Sequence, residues 1–168
     1  INLLRAEGYR SNVYIRPLAY KSDEIIGVKL HGLHHELSIV AIPFDRYISN
    51  DTSASATFSG WRRIDDNMIP ARGKISGAYA NSAFIKSDAL LSGFDEALVL
   101  TQEGHLSEGS AMNVFIVRDG IAITPPVTDN ILEGITRRSA IELLEVELGV
   151  KVVERPIDRT EVYLCDEL

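Results

Sequence analysis

A lysine does chemistry when its amine, freed of a proton, attacks an aldehyde to form an imine, and a bulky aldehyde needs a neighbourhood of small side chains. Of the five lysines in this chain, Lys74 has such a setting, Ile69-Pro70-Ala71-Arg72-Gly73-Lys74-Ile75-Ser76-Gly77. Five residues on, Tyr79 places a phenol near the start of a helical pattern, where it can donate a hydrogen bond back towards the same loop. Glu108 lies among small residues in Leu106-Ser107-Glu108-Gly109-Ser110-Ala111-Met112-Asn113-Val114-Phe115. A carboxylate there can pair with a protonated ring nitrogen and keep that ring a good electron sink. In Leu132-Glu133-Gly134-Ile135-Thr136-Arg137 a glycine and a hydroxyl open a helix, whose free amides can bind a phosphate. Arg16, in Val13-Tyr14-Ile15-Arg16-Pro17-Leu18, offers a planar fork suited to a substrate carboxylate. Taken singly, each of these is more commonly an ordinary surface residue.

Other chemistries have less support. His31, His34 and His35 with Glu36 lack the His-Glu-x-x-His order and any nearby cysteine, so a polar turn between strands is expected and no metal site. Neither a glycine-rich nucleotide loop nor a Gly-x-Ser-x-Gly elbow is present. The net charge of −7 is spread along the 168 residues, which argues against nucleic acid and for small-molecule substrates. With no apolar run of about 20 residues and no signal-peptide pattern at the start, no membrane partner is expected and a cytoplasmic setting follows. The single cysteine, Cys165, has no partner for an intrachain disulfide.

The elements that must position these residues are a mixture. Asn12 to Tyr20 and Glu36 to Pro43 read as strands, and the polar, small-residue stretch from Phe44 to Thr57 reads as a loop between domains. Residues 1–43 are therefore expected to form one lobe, 44–57 the connection, and 58–168 a larger domain. In the latter, Gly77 to Leu91 reads as a helix stopped at Gly93, followed by strands at Glu96–Leu100, Asn113–Val117 and Ile121–Thr124, with a hairpin turn at Arg118-Asp119-Gly120. Ile135 to Leu148 has one apolar helical face through Ile141, Leu144 and Leu148, and Val150 to Val153 resumes as strand. The expected class is α+β, with a mixed, mostly antiparallel sheet and helices, not a run of regular βαβ units.

In order and together the stations resemble the fold-type IV pyridoxal-phosphate enzymes, most closely the branched-chain-amino-acid aminotransferases. They are Tyr14-Ile15-Arg16-Pro17, Trp61-Arg62-Arg63, Ile69-Pro70 before Lys74, Ser107-Glu108-Gly109 with Asn113-Val114-Phe115, Thr124-Pro125-Pro126, Leu132 to Arg137, and Tyr163-Leu164. The resemblance covers almost the whole chain. It implies a remnant of a small N-terminal α/β lobe joined to a larger cofactor-binding domain. It implies, too, a ping-pong transamination of leucine, isoleucine and valine with 2-oxoglutarate, on pyridoxal 5'-phosphate linked to Lys74. By the same resemblance Tyr79, Glu108, Leu132, Ile135 and Thr136 would bind the cofactor: Tyr79 its phenolic oxygen, Glu108 its ring nitrogen, Ile135 and Thr136 its phosphate. Tyr14, Arg16 and Tyr47 would bind substrate.

The family further implies a homo-oligomer, a dimer or larger. Phe44 stands where many relatives have tryptophan. Two phosphate-contacting segments of the family, an arginine upstream and a Ser/Gly-Thr-Ala segment downstream, fall outside these residues, so the 168-residue piece by itself is expected to bind cofactor poorly. A D-amino-acid aminotransferase, a 4-amino-4-deoxychorismate lyase and a cofactor-free inactive product are the competing expectations; the Tyr-Ile-Arg-Pro strand speaks against the first two.

Overall fold

The computed structural model describes residues 1–44 and 53–168, so Tyr47 lies outside the described residues. By their contacts the residues divide into two compact units, Ile1–Ser49 and Asn50–Leu168.

In the first unit a short helix, α1 (Asn2–Ala6), precedes two nine-residue strands, β1 (Val13–Lys21) and β2 (His35–Pro43). They pair antiparallel from Val13 opposite Pro43 to Lys21 opposite His35 without a bulge. Both strands lie within a residue of the sequence expectation, because each carries a β-branched run broken by polar turn residues. The helix α1 is an addition to the two strands expected in residues 1–43. Its Leu3 and Leu4 are half-buried. Pro17 lacks an N–H, and β1 accommodates it because, among the described residues, β1 pairs with β2 alone and keeps one edge unpaired.

In the second unit β3 (Ala56–Arg62) runs parallel to β4 (Glu96–Leu100), with α2 (Tyr79–Leu91) between them in the chain, and β5 (Leu106–Gly109) returns antiparallel to β4. A second sheet holds β6 (Ile116–Arg118), β7 (Ile121–Thr124) and β8 (Val152–Glu154). There β6 and β7 form an antiparallel hairpin, and α3 (Ile135–Val146) returns the chain so that β8 lies parallel to β7. The sheet is mixed as expected, but among the described residues of this unit two pairings are parallel and two antiparallel. Each helical crossover brings the next strand back in the same direction. The hairpin turn is read correctly from sequence: Asp119 (φ 51°) and Gly120 (φ 73°) both adopt the left-handed region that a two-residue primed turn requires.

Strand β4 explains how the layers hold together. Its five residues are all buried, and alternate side chains go to opposite faces. Ala97 and Val99 pack with Ile85 and Ala89 of α2. Leu98 and Leu100 meet Leu106, Ile116, Ile123 and Ile157 on the other side. Losing a side chain as enclosed as Ile85 costs about 2–5 kcal/mol.

Three sequence expectations are corrected. The strand expected at Asn113–Val117 begins only at Ile116, since Asn113 turns its side chain to polar partners described below. Helix α3 ends at Val146, and Leu148 is exposed while Ile141 and Leu144 are half-buried. The loop expected through Thr57 gives way to β3 at Ala56.

Candidate functional site

One pocket in the second unit gathers four of the nine residues singled out from sequence. Lys74, Tyr79, Glu108 and Leu132 line it, together with Arg63, Ser82, Ala111 and Asn113.

Lys74 is set by a tightly folded loop. The Ile75 N–H donates to Gly73 O at 2.8 Å, which makes Lys74 the centre of a three-residue turn. A side chain on Gly73 would press within 3.1 Å of Ile75 Cγ1. Asp66 Oδ1 accepts the Ala71 N–H at 3.0 Å, and Arg72 Nε donates to Glu133 Oε1 at 3.0 Å, tying this loop to the segment just before α3. A 3-10 turn at Ser76–Ala78 leads into α2 at Tyr79. The Lys74 ammonium is 5.6 Å from the centre of the Tyr79 ring.

Glu108 comes from β5, opposite Val99 of β4, and its side chain is 6% exposed. Oε1 takes an ion pair from Arg63 Nη2 at 2.9 Å. Oε2 accepts the Leu132 N–H at 3.1 Å and the Asn113 side-chain amide at 3.4 Å. The Glu108 carboxyl lies above its ordinary range because burial penalises its charge more than the Arg63 guanidinium, the Leu132 amide and the Lys74 ammonium together favour it. Gly109 allows the chain to fold back at once: its N–H donates to Met112 O at 2.7 Å, and a Cβ would sit 2.8 Å from Met112 Cγ.

Asn113 joins this carboxylate to the start of α3. Its amide also donates to Leu132 O at 2.9 Å, and its Oδ1 occupies the space a Cβ on Gly134 would need. Gly134 is the N-cap of α3, in extended conformation and with no capping side chain. Arg137 fixes the first turn from below: its side chain donates to Pro125 O at 2.9 Å and pairs with Glu154 at 2.6 Å. Ile135 and Thr136 are exposed on that turn and are not among the pocket's lining residues.

Tyr14 and Arg16 belong to β1 in the first unit. Arg16 is exposed, its guanidinium 5.4 Å from the centre of the Tyr14 ring, and its Nε donates to the Tyr14 hydroxyl at 3.4 Å. The Tyr14 ring in turn lies 5.7 Å from that of Phe44. In the loop before β2, His34 Nδ1 is 3.0 Å from Asp23 Oδ1, and His35 opens the strand.

Arg63 and Asn113 are the site residues that a residue-by-residue reading passes over, although both fall within recognised stations. The available signal was the doubled arginine after Trp61: Arg62 is exposed and Arg63 is buried at the end of β3.

A family model described as amino-transferase class IV matches residues 1–168. A protein of Aquifex aeolicus named "Probable branched-chain-amino-acid aminotransferase" is 48% identical over 99% of this chain and 53% of its own length. The branched-chain-amino-acid aminotransferase of Escherichia coli K12 is 36% identical over 94% of this chain and 52% of its own. Among solved structures, the branched-chain aminotransferase of Thermoproteus uzoniensis with norvaline superposes with a TM-score of 0.94 at 41% identity, covering 98% of this chain and 55% of that one. The chain thus spans about half the length of the relatives it matches.

Proposed function

The chain belongs to the class IV aminotransferases, and from that premise we propose that the whole protein transfers the amino group of leucine, isoleucine or valine to 2-oxoglutarate, using pyridoxal 5'-phosphate. The observation that carries the proposal is that Lys74, Tyr79 and Glu108 line one pocket, an amine, a phenol and a buried carboxylate together. That donor set fits the cofactor, whose aldehyde, phenolic oxygen and ring nitrogen call for those three groups. When bound, the cofactor supplies an electron sink that allows a proton to leave the substrate's α-carbon.

This chain's own residues have distinct tasks in that reading. Lys74 would hold the cofactor by its amine and would take up and return the proton of the substrate's α-carbon. Tyr79 donates to the phenolic oxygen. Glu108 holds a proton at the ring nitrogen, and its burial makes that hydrogen bond stronger than it would be in water. The amides of Ile135 and Thr136, with the Thr136 hydroxyl, face the phosphate, as free amides at a helix N-terminus favour, while Leu132 lines the cofactor pocket beside Glu108. Tyr14, Arg16 and Tyr47 receive the substrate side chain, with the Arg16 fork taking the distal carboxylate of glutamate. A homo-oligomeric assembly and a cytoplasmic setting belong to the same proposal and are carried by the family alone. Among the described residues no helix is long and apolar enough to cross a membrane.

The test is chemical. Full-length protein loaded with pyridoxal phosphate and reduced with borohydride should carry the cofactor's mass on the peptide containing Lys74. A Lys74→Ala variant should lose that adduct and at least about 10^3-fold in turnover. An adduct that survives the substitution removes Lys74 from its role.

A further inference from the structure

Arg63 lines the pocket, and the Nε–Nη2 edge of its guanidinium is taken up by protein groups. Its Nη2 is 2.9 Å from Glu108 Oε1, and its Nε donates to Asn130 O at 3.0 Å. Its backbone is pinned as well: the Arg63 N–H donates to Leu100 O at 2.9 Å, and the Gln102 side-chain amide donates to Arg63 O at 3.2 Å. The side chain is 8% exposed. An arginine so placed acts first on its neighbour, the Glu108 carboxylate.

Three donors reach the carboxylate of Glu108: Arg63 on one oxygen, Leu132 and Asn113 on the other. A carboxylate has about four acceptor sites. Hence an acceptor position on the Arg63 side remains for a ring N–H, and the pair of Leu132 and Asn113 on the far oxygen fixes the carboxylate's rotation. Charge completes the argument. A buried carboxyl with no cation beside it neutralises, and a neutral carboxyl cannot hold a pyridine ring protonated. The charged or titratable groups around Glu108 are Arg63 at the end of β3, Lys74 in the loop before α2, and Tyr79 at the start of α2. Glu96, which reaches Ser110 two residues along the chain, is itself neutralised by Lys86 at 2.8 Å. Lys74 is spoken for by the aldehyde once the cofactor is bound, which leaves Arg63 as the permanent cation at this carboxylate among the described residues.

We propose that Arg63 is a positioning residue for the reaction: it keeps Glu108 ionised and aimed into the pocket, so that Glu108 can pair with the protonated ring nitrogen. The inference rests on the pyridoxal-phosphate reading above, and it makes a prediction that needs no cofactor.

The cofactor-free arm is a double-variant cycle on the full-length protein, read by thermal unfolding. Arg63→Gln takes the contacting cation away from the buried Glu108 carboxyl and should lower the melting temperature by several degrees. Adding Glu108→Gln to it should return most of the loss, because a neutral pair replaces the ionic one. If Arg63→Gln does not fold, the double variant should fold, and its recovery is the same result. The loaded arm is a pH profile of kcat/KM. Arg63→Gln should move the acid limb up by about 1 pH unit or more, while Arg63→Lys, which retains the charge, should keep it near the parent's. An arginine that only fills space would leave the acid limb in place and would gain nothing from Glu108→Gln; either result overturns the proposal. If the parent gives no borohydride-fixed adduct at Lys74, the cofactor reading fails on its own, and the cycle still decides whether Arg63 governs the charge of Glu108.

Discussion

Two glutamates on neighbouring strands share almost every attribute except their task. Glu96 on β4 and Glu108 on β5 are 5% and 4% exposed, and each makes one ion pair, at 2.8 Å to Lys86 and 2.9 Å to Arg63. Yet they shift in opposite directions. At Glu96 burial pushes the carboxyl up, but hydrogen bonds from Lys86, Ser110 and Ala97 outweigh it and hold the group below the ordinary carboxylate range. At Glu108 burial wins over Arg63, Leu132 and Lys74, and the group lies above that range. The difference is one of completeness. Glu96 has short contacts on both oxygens, 2.8 Å from the Ala97 amide and 2.8 Å from Lys86, whereas the far oxygen of Glu108 has only contacts of 3.1 and 3.4 Å. One carboxylate is finished and builds the fold; the other is left short of stabilisation that a further donor would supply.

Neutralising each in turn is the strongest way to break that contrast. Glu108→Gln should reduce kcat by about 10^2–10^4-fold in steady-state assays, while Glu96→Gln should lower thermal stability and leave kcat within about tenfold. A comparable loss of kcat at both would mean that Glu96 also serves the chemistry. A smaller effect sharpens the geometric half of the comparison. Gly134→Ala would place a methyl where Asn113 Oδ1 lies, so Asn113 must swing away from Glu108 and Leu132. That should cost about 1–3 kcal/mol by urea unfolding, and Asn113→Gly in the same chain should return part of it.

The smallest effect is in the pH dependence, and its sign is the informative part. For Glu96, whose folded value is depressed, the contribution is fully present above the unfolded value and is lost as pH falls through the folded one. For Glu108, whose folded value is raised, stability is instead lost as pH rises from the unfolded value through the folded one. Across the acid range, the stability gap between parent and Glu96→Gln should therefore widen with rising pH. The gap between parent and Glu108→Gln should narrow. Parallel slopes in cofactor-free protein would remove the contrast.

Much of this was legible in the residues. Alternating and helical periods locate six of the eight strands and helices of the second unit to within a few residues, because their apolar positions answer to one face each; β3, with Ser59 and Gly60 in its middle, carries no such alternation, and the four-residue β5, Leu-Ser-Glu-Gly, reads as a motif and not as a strand. Lys74, Tyr79, Glu108 and Leu132 were each marked before any geometry, and they meet in one pocket. What sequence could not show is what surrounds them. Nothing in Arg62-Arg63 says which arginine is inside, since that is decided by where the chain leaves β3 and by the distant partners Leu100, Glu108 and Asn130. Nor does Asn113 reveal that its amide spans from Leu132 to Glu108, which depends on a backbone turn held by Gly109 and Met112. Pairing across distant segments, not local propensity, sets those details.

The notch at Gly134 carries a rule about permitted substitutions. The side chain at position 113 and the bare backbone at position 134 fill a single volume, so the two positions are not free to drift independently through related sequences. A relative with a side chain at the counterpart of 134 should show a residue smaller than asparagine at the counterpart of 113, and its carboxylate should then rely on the guanidinium and one amide alone.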